Sequence, residues 1–319
     1  MARCAPVECP NPEGTVSKLT AKEWRSRLTG ENGWLRSAGA SALNGATRVV
    51  PAPRRFVVQE AFGRLPPGRY PVETEPPPVP PGCRPGLPDF IGVGAQRCGS
   101  TWWFLLLESQ PAIHYEPRVR KERHFFDRFY DTGPTPADID TYKRWFPRPP
   151  GKLVGEWTAC YMHHFWVPPL IAEVAPEAKL IVMVRDPIER YRSGLTWESH
   201  YGPLPRFSYA DDAFARGLYG AQINRLRASV DPAQILVLQY ERCQADVAGQ
   251  LRRTLDFLGI DEPSRMVDRA INVTTGPKVG LPPYVRDELV ARYAPDVRAL
   301  VEMVPDIDVD LWPSMAGVV

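Results

Sequence analysis

Lysine is scarce in this chain: of 39 basic residues only seven are lysine. That preference for arginine matches the bias of a GC-rich bacterial genome and carries no functional weight. Net charge is small as well, formally +2 with a pI near 8.2, which excludes a general surface for nucleic acid and makes any cationic site local. Six cysteines (Cys4, Cys9, Cys83, Cys98, Cys160, Cys243) make no CxxC pair and have no histidine at ligand spacing. Their spacing announces no zinc site, and reduced intracellular thiols are the simpler expectation. Long apolar runs are missing too. The N-terminal MARCAPVECPNPEG has no leader-like apolar core, and no run approaches the roughly 18 residues of a membrane span, so a cytoplasmic protein is expected.

What the chain has in excess is proline, 36 residues in all, with ten of them between Leu65 and Pro88. Such a stretch is neither helix nor central strand and reads as a polyproline linker or extended arm. Before it, Thr20 and Glu23 make a capping box, with Trp24 and Leu28 on one helical face. Residues 1–88 are therefore expected to be an N-terminal appendage and residues 89–319 the main domain. From Asp89 onward short apolar runs alternate with helix-like stretches: DFIGVGA before WWFLLLES, KLVGEW, KLIVMV before a helix from Pro187, and ILVLQY before DVAGQLRRTLDFLG. That alternation predicts an α/β fold, a P-loop-like, mainly parallel sheet flanked by helices. Ligands of such sheets sit beyond the carboxyl ends of the strands.

One strand-to-helix turn, GAQRCGST (Gly94 to Thr101), is nearly a phosphate-binding loop, with its two glycines five residues apart and Thr101 at the end. Ser100 stands where that motif has lysine, and the cation is Arg97. A curled backbone and a helix N-terminus suit an anion there. A magnesium-dependent triphosphatase also needs a carboxylate closing a buried strand, yet KLIVMV ends in Arg185. Asp186 follows, but Pro187 and Glu189 mark it as the N-cap of a capping box. Ser193, two helical turns on, returns to the face of Arg185, so these two are candidates for a second anion. Arg190 is placed to pair with Glu189 or a neighbouring acid.

Two anion sites without a metal signature bring a family into view. Arg97-Cys98-Gly99-Ser100-Thr101-Trp102 resembles the 5′-phosphosulfate loop of sulfotransferases that use 3′-phosphoadenosine 5′-phosphosulfate (PAPS), and RDPIERYRSG resembles their 3′-phosphate motif. KERHFFD (Lys121 to Asp127) is similar to a segment of the heparan-sulfate type, and ILVLQYERC to LDFLG to the late strand and helix of bacterial members. The resemblance implies that Arg97, Cys98, Gly99, Ser100 and Thr101 form the 5′-phosphosulfate loop, that Trp102 flanks adenine, and that Arg185 and Ser193 take the 3′-phosphate. It implies Glu122 as base, with His124 as the alternative that cytosolic members use. Arg97, lysine in most members, neutralises the leaving phosphate.

If Lys121 to Asp127 is a strand, Glu122, His124 and Phe126 share one face. Trp157 in GEWTACYM replaces a lysine of the heparan-sulfate enzymes, which points away from a polyanionic acceptor, and Trp157, Tyr161 and Trp166 are candidate acceptor-lining residues. Lys278 is a candidate for the 3′-phosphate. The expected activity is metal-independent, in-line sulfuryl transfer from PAPS to a hydroxyl of a carbohydrate, glycolipid or small natural product. The rivals are a magnesium-dependent P-loop kinase and a non-catalytic nucleotide-binding module.

Overall fold

The runs FIGVG, GEW, KLIVMV and ILVLQ are buried almost throughout, as strands covered by helices on both faces must be. The structure is a computed structural model that describes residues 75–115, 121–199, 207–261 and 278–319. Its strands are β1 (Arg84–Pro85), β2 (Phe90–Gly94), β3 (Pro147–Arg148), β4 (Gly155–Trp157), β5 (Lys179–Val184) and β6 (Ile235–Gln239). β4, β2, β5 and β6 pair in that order as a parallel sheet. The helices are α1 (Ser100–Glu108), α2 (Pro136–Arg144), α3 (Val167–Val174), α4 (Pro187–Ser199), α5 (Phe207–Ala215), α6 (Tyr219–Ser229), α7 (Tyr240–Ala245), α8 (Val247–Leu258) and α9 (Pro283–Met303). The expected α/β fold is present, and no helix among the described residues is long and apolar enough to cross a membrane.

Strand order explains where a ligand belongs. From β2 the chain crosses to β4 on one side, whereas from β5 it moves to β6 on the other, so the connections leave two adjacent strands in opposite directions. The crevice this opens at the carboxyl ends of β2 and β5 is the usual ligand position in open α/β sheets. The turn after β2 and the Arg185-Asp186 turn after β5 are its two banks.

Packing on β2 is unusually close. Trp157, fully buried at the end of β4, lies over Gly92, where an added Cβ would stand 1.9 Å from the indole. Only glycine gives the indole that room. At the proline-rich end, β1 pairs antiparallel with β3 at Arg84↔Arg148 and Pro85↔Pro147. Proline fits because a two-stranded ribbon leaves its edge unpaired. Asp89 then fastens the chain, accepting from the Val154 N–H at 2.7 Å and pairing with Arg148 at 3.0 Å. The Thr20–Glu23 capping box lies outside the described residues.

Candidate active site

The turn from β2 into α1 is held open by its backbone. Gly99 caps α1 with φ at 91°, and a Cβ there would meet the Tyr240 ring at 2.6 Å, so glycine is required twice over. No side chain caps α1, which leaves its first N–H groups available to an anion. Ser100 is buried at the start of the helix and Thr101 is half-buried. Trp102 meets Tyr240 edge-to-face at 6.1 Å. Cys98 points inward, its thiol 3.4 Å from the Tyr219 hydroxyl and pushed up to about 11 by burial, so it packs rather than reacts.

The structure brings the two predicted anion motifs into contact. Arg97 Nε donates to Ser193 Oγ at 3.2 Å, although the two residues are 96 positions apart. The Arg97 guanidinium also lies over the Trp197 ring at 4.9 Å. Burial lowers the Arg97 pKa, and the nearby Arg185 and Arg190 push it the same way. Arg185 rests on the Tyr240 ring at 4.7 Å, and its buried Nε has no hydrogen-bond partner among the described residues. A buried guanidinium N–H without a partner calls for an acceptor.

Asp186 is occupied as a cap. Its Oδ1 accepts from the N–H groups of Ile188 and Glu189 at 2.9 and 3.1 Å and from Ser314 Oγ at 2.6 Å, while Oδ2 accepts from the Ser314 N–H at 3.1 Å. The reciprocal half of the expected capping box is supplied by Glu241, which accepts from the Asp186 N–H at 3.0 Å. Glu189 instead gathers cations: Arg192 at 2.7 Å, Lys278, and Arg185 at 4.0 Å. Lys278 is thus committed to Glu189. Arg190, expected to pair with an acid, is buried and donates to the Ala213 carbonyl.

Lys121 to Asp127 is not a strand. The segment runs irregularly into a 3-10 turn (Phe126–Arg128), with Glu122 at φ 65° and His124 at φ 52°. An alternating-face argument fails because both residues adopt left-handed backbone. Together with Arg97 at φ 68°, they are the only non-glycine residues with positive φ among the described residues. Such conformations cost of order 1–3 kcal/mol each and concentrate where geometry serves a site. Glu122 Oε1 pairs with Lys121, and Oε2 accepts from the Ala159 N–H at 2.9 Å. Lys121 also acts on Glu108, but there burial prevails and pushes the carboxyl up to about 8. His124 Nδ1 lies 2.6 Å from Asp127 Oδ2.

A buried carboxylate fixes this loop at second hand. Glu156 accepts from Thr158 Oγ1 at 2.9 Å, from the Tyr161 hydroxyl at 3.3 Å and from the Tyr142 hydroxyl. Thr158 Oγ1 in turn accepts from the His124 N–H at 3.3 Å, and the Tyr161 hydroxyl from the Phe125 N–H at 2.8 Å. Burial raises the Glu156 pKa despite these three donors. Tyr161→Phe removes the one acceptor of the Phe125 N–H, and is expected to cost about 1–3 kcal/mol of stability in denaturant titration. Turnover should fall while nucleotide affinity, measured by calorimetry, holds. Unchanged stability and turnover would remove this network from the account.

Trp157 and Tyr161, expected as acceptor-lining, are fully buried in the core. Only Trp166 of that trio is partly exposed, beside Tyr130 at 5.0 Å and Phe165 at 5.2 Å. Sequence reasoning missed Asp127, although the i,i+3 spacing from His124 was visible. It also missed Trp197, one helical turn after Ser193 on the same face of α4.

Residues 134–264 match a family described as the sulfotransferase family. Heparan sulfate glucosamine 3-O-sulfotransferase 3B1 of Mus musculus is 30% identical over 189 residues, 54% of this chain and 46% of that protein. The chain thus spans about half the length of that relative. Heparan sulfate glucosamine 3-O-sulfotransferase 6 of Mus musculus is 29% identical over 272 residues, 73% of this chain and 77% of its own. Among solved structures, a sulfotransferase from Alicyclobacillus acidocaldarius has the same fold, with a TM-score of 0.59 and 24% identity, covering 71% of this chain and 99% of that one.

Proposed function

We propose that this chain, a member of the sulfotransferase family, transfers the sulfuryl group of PAPS in line to a hydroxyl on a carbohydrate, glycolipid or small natural product. The supporting observation is the 3.2 Å bond from Arg97 to Ser193, which unites the two anion motifs, with Arg185 at the end of β5 and its Nε without a hydrogen-bond partner among the described residues. A donor with separated 5′ and 3′ anions matches that arrangement. In this reading the first N–H groups of α1, Ser100 and Thr101 bind the 5′ end, Arg185 and Ser193 bind the 3′-phosphate, and Trp102 flanks the base. Glu122 takes the acceptor proton, since its side chain is 34% exposed against 7% for His124. Arg97 neutralises charge on the leaving phosphate. The catalytic domain runs over 89–319 in this reading, with residues 1–88 as an appendage whose last stretch docks on it through the β1–β3 ribbon.

The exposed rings beside Trp166 suit an acceptor with a sugar face or an apolar group, Tyr130 and Phe165 being 64% and 62% exposed. A kinase reading requires a carboxylate to hold magnesium at the end of β5, yet both Asp186 oxygens are engaged by α4 and Ser314. Transfer from labelled PAPS into a cell extract should therefore survive excess EDTA. Loss on chelation that magnesium restores would return the assignment to a phosphotransferase.

A further inference from the structure

The loop that carries His124 approaches a second element, and three soft or borderline donors meet there. His124 Nδ1, Asp127 Oδ2 and Cys160 Sγ lie 2.6, 3.4 and 3.7 Å apart pairwise. All three residues are buried, at 6%, 2% and 3% exposure. The other Asp127 oxygen, Oδ1, is buried without a hydrogen-bond partner among the described residues. An ion just off the plane of the three donor atoms, once the His124–Asp127 contact opens slightly, stands at the ~2.0–2.3 Å that zinc takes to nitrogen, oxygen and sulfur. The cluster is rigidly framed. The His124 N–H bonds Thr158, the Phe125 N–H bonds Tyr161, and the Ala159 N–H bonds Glu122, so the two segments are tied on both sides of the donors. No sequence spacing announces it, because Cys160 is 36 positions from His124 and meets it only through the fold.

We propose that His124, Asp127 and Cys160 bind zinc or another thiophilic divalent ion, and that this ion acts as a reversible brake on turnover. A mixed thiolate, imidazole and carboxylate set selects zinc or cadmium over magnesium and calcium, which prefer all-oxygen sites. Three protein ligands leave the fourth position to water. Binding releases the Cys160 thiol proton to solvent and occupies the Nδ1 lone pair of neutral His124, with the imidazole proton on Nε2. The hydrogen bond between His124 and Asp127 is replaced by two metal bonds. The brake rests on the proposed function, in which Glu122, two residues before His124 and bonded to the Ala159 N–H beside Cys160, takes the acceptor proton and is held by the same two segments the ion clamps; the ion site does not rest on it.

Cadmium titration of the full-length metal-free chain supplies a direct readout, the ultraviolet thiolate-to-cadmium charge-transfer band. Wild type should give a band saturating at one equivalent, which zinc displaces. Cys160→Ser and, separately, Asp127→Asn should lose it while keeping the wild-type circular dichroism spectrum. Two variants protect the test should one fail to fold. In parallel, zinc should suppress sulfuryl transfer by wild type and EDTA should restore it. The absence of a band in wild type, or one of equal strength in both variants, overturns the site. Turnover indifferent to zinc overturns the brake. A metal-free protein that binds cadmium through Cys160 yet never transfers sulfate counts instead against the sulfotransferase reading, so the two failures are distinguishable.

Discussion

Glu122→Gln should lower turnover by about 10²–10⁴ and leave the affinity for 3′-phosphoadenosine 5′-phosphate (PAP) nearly unchanged, because a general base acts on the acceptor's proton and not on the donor. Its carboxylate is well placed for that work. Lys121 and the Ala159 N–H engage one oxygen each, which fixes the group in orientation yet uses about two of its four lone-pair positions. Glutamine retains an acceptor for Lys121 or Ala159 but cannot take a proton, so the substitution isolates chemistry from folding. Steady-state rates with labelled PAPS, paired with calorimetry, give the answer. If His124→Ala is the crippling change and Glu122→Gln is mild, the roles must be exchanged, with Asp127 orienting the imidazole from 2.6 Å. If both are mild, neither residue is the base.

PAP should bind about 30- to 2,000-fold more tightly than AMP. A charge-assisted contact from Arg185 contributes about 1.5–3 kcal/mol and a neutral one from Ser193 about 0.5–1.5 kcal/mol, together roughly 2–4.5 kcal/mol. Two features favour the lower end of that range. Ser193 already accepts from Arg97, so a 3′-phosphate exchanges one contact for another. Glu189, whose carboxylate burial alone would raise but Lys278 and Arg192 hold low, keeps a negative charge 4.0 Å from Arg185. Arg185→Ala should erase most of the preference, whereas Arg97→Ala should weaken both nucleotides alike. Equal wild-type affinity for PAP and AMP in calorimetric titration would remove the physical basis for a PAPS site.

Sequence was most informative where one local rule governs. Strand-turn-helix alternation gave the parallel sheet, and Pro187 after Asp186 marked the N-cap of α4, since both follow from nearest-neighbour backbone chemistry. The loop from Gly94 to Thr101 was legible because glycine spacing reports backbone curvature directly. Lys121 to Asp127 was misread as a strand because its conformation is imposed from outside, by Glu156 acting through Thr158 and Tyr161. The burial of Trp157 is hidden in the sequence because an indole there does not disclose that a glycine on the neighbouring strand makes room for it. The meeting of Arg97 with Ser193 depends on strand order, which no local pattern encodes.

The left-handed backbone at Arg97, Glu122 and His124 sets a conflict between robustness and work. Glycine at any of these positions relieves the local conformational penalty, and asparagine relieves part of it. At Arg97 and Glu122 such a replacement also deletes a side chain that this reading assigns to the reaction, and at His124 it deletes the alternative base. Selection for thermal endurance alone would therefore drift first toward a sturdier chain that binds but no longer turns over. The strain at these three residues is a signature by which working copies of this fold can be told from retired ones.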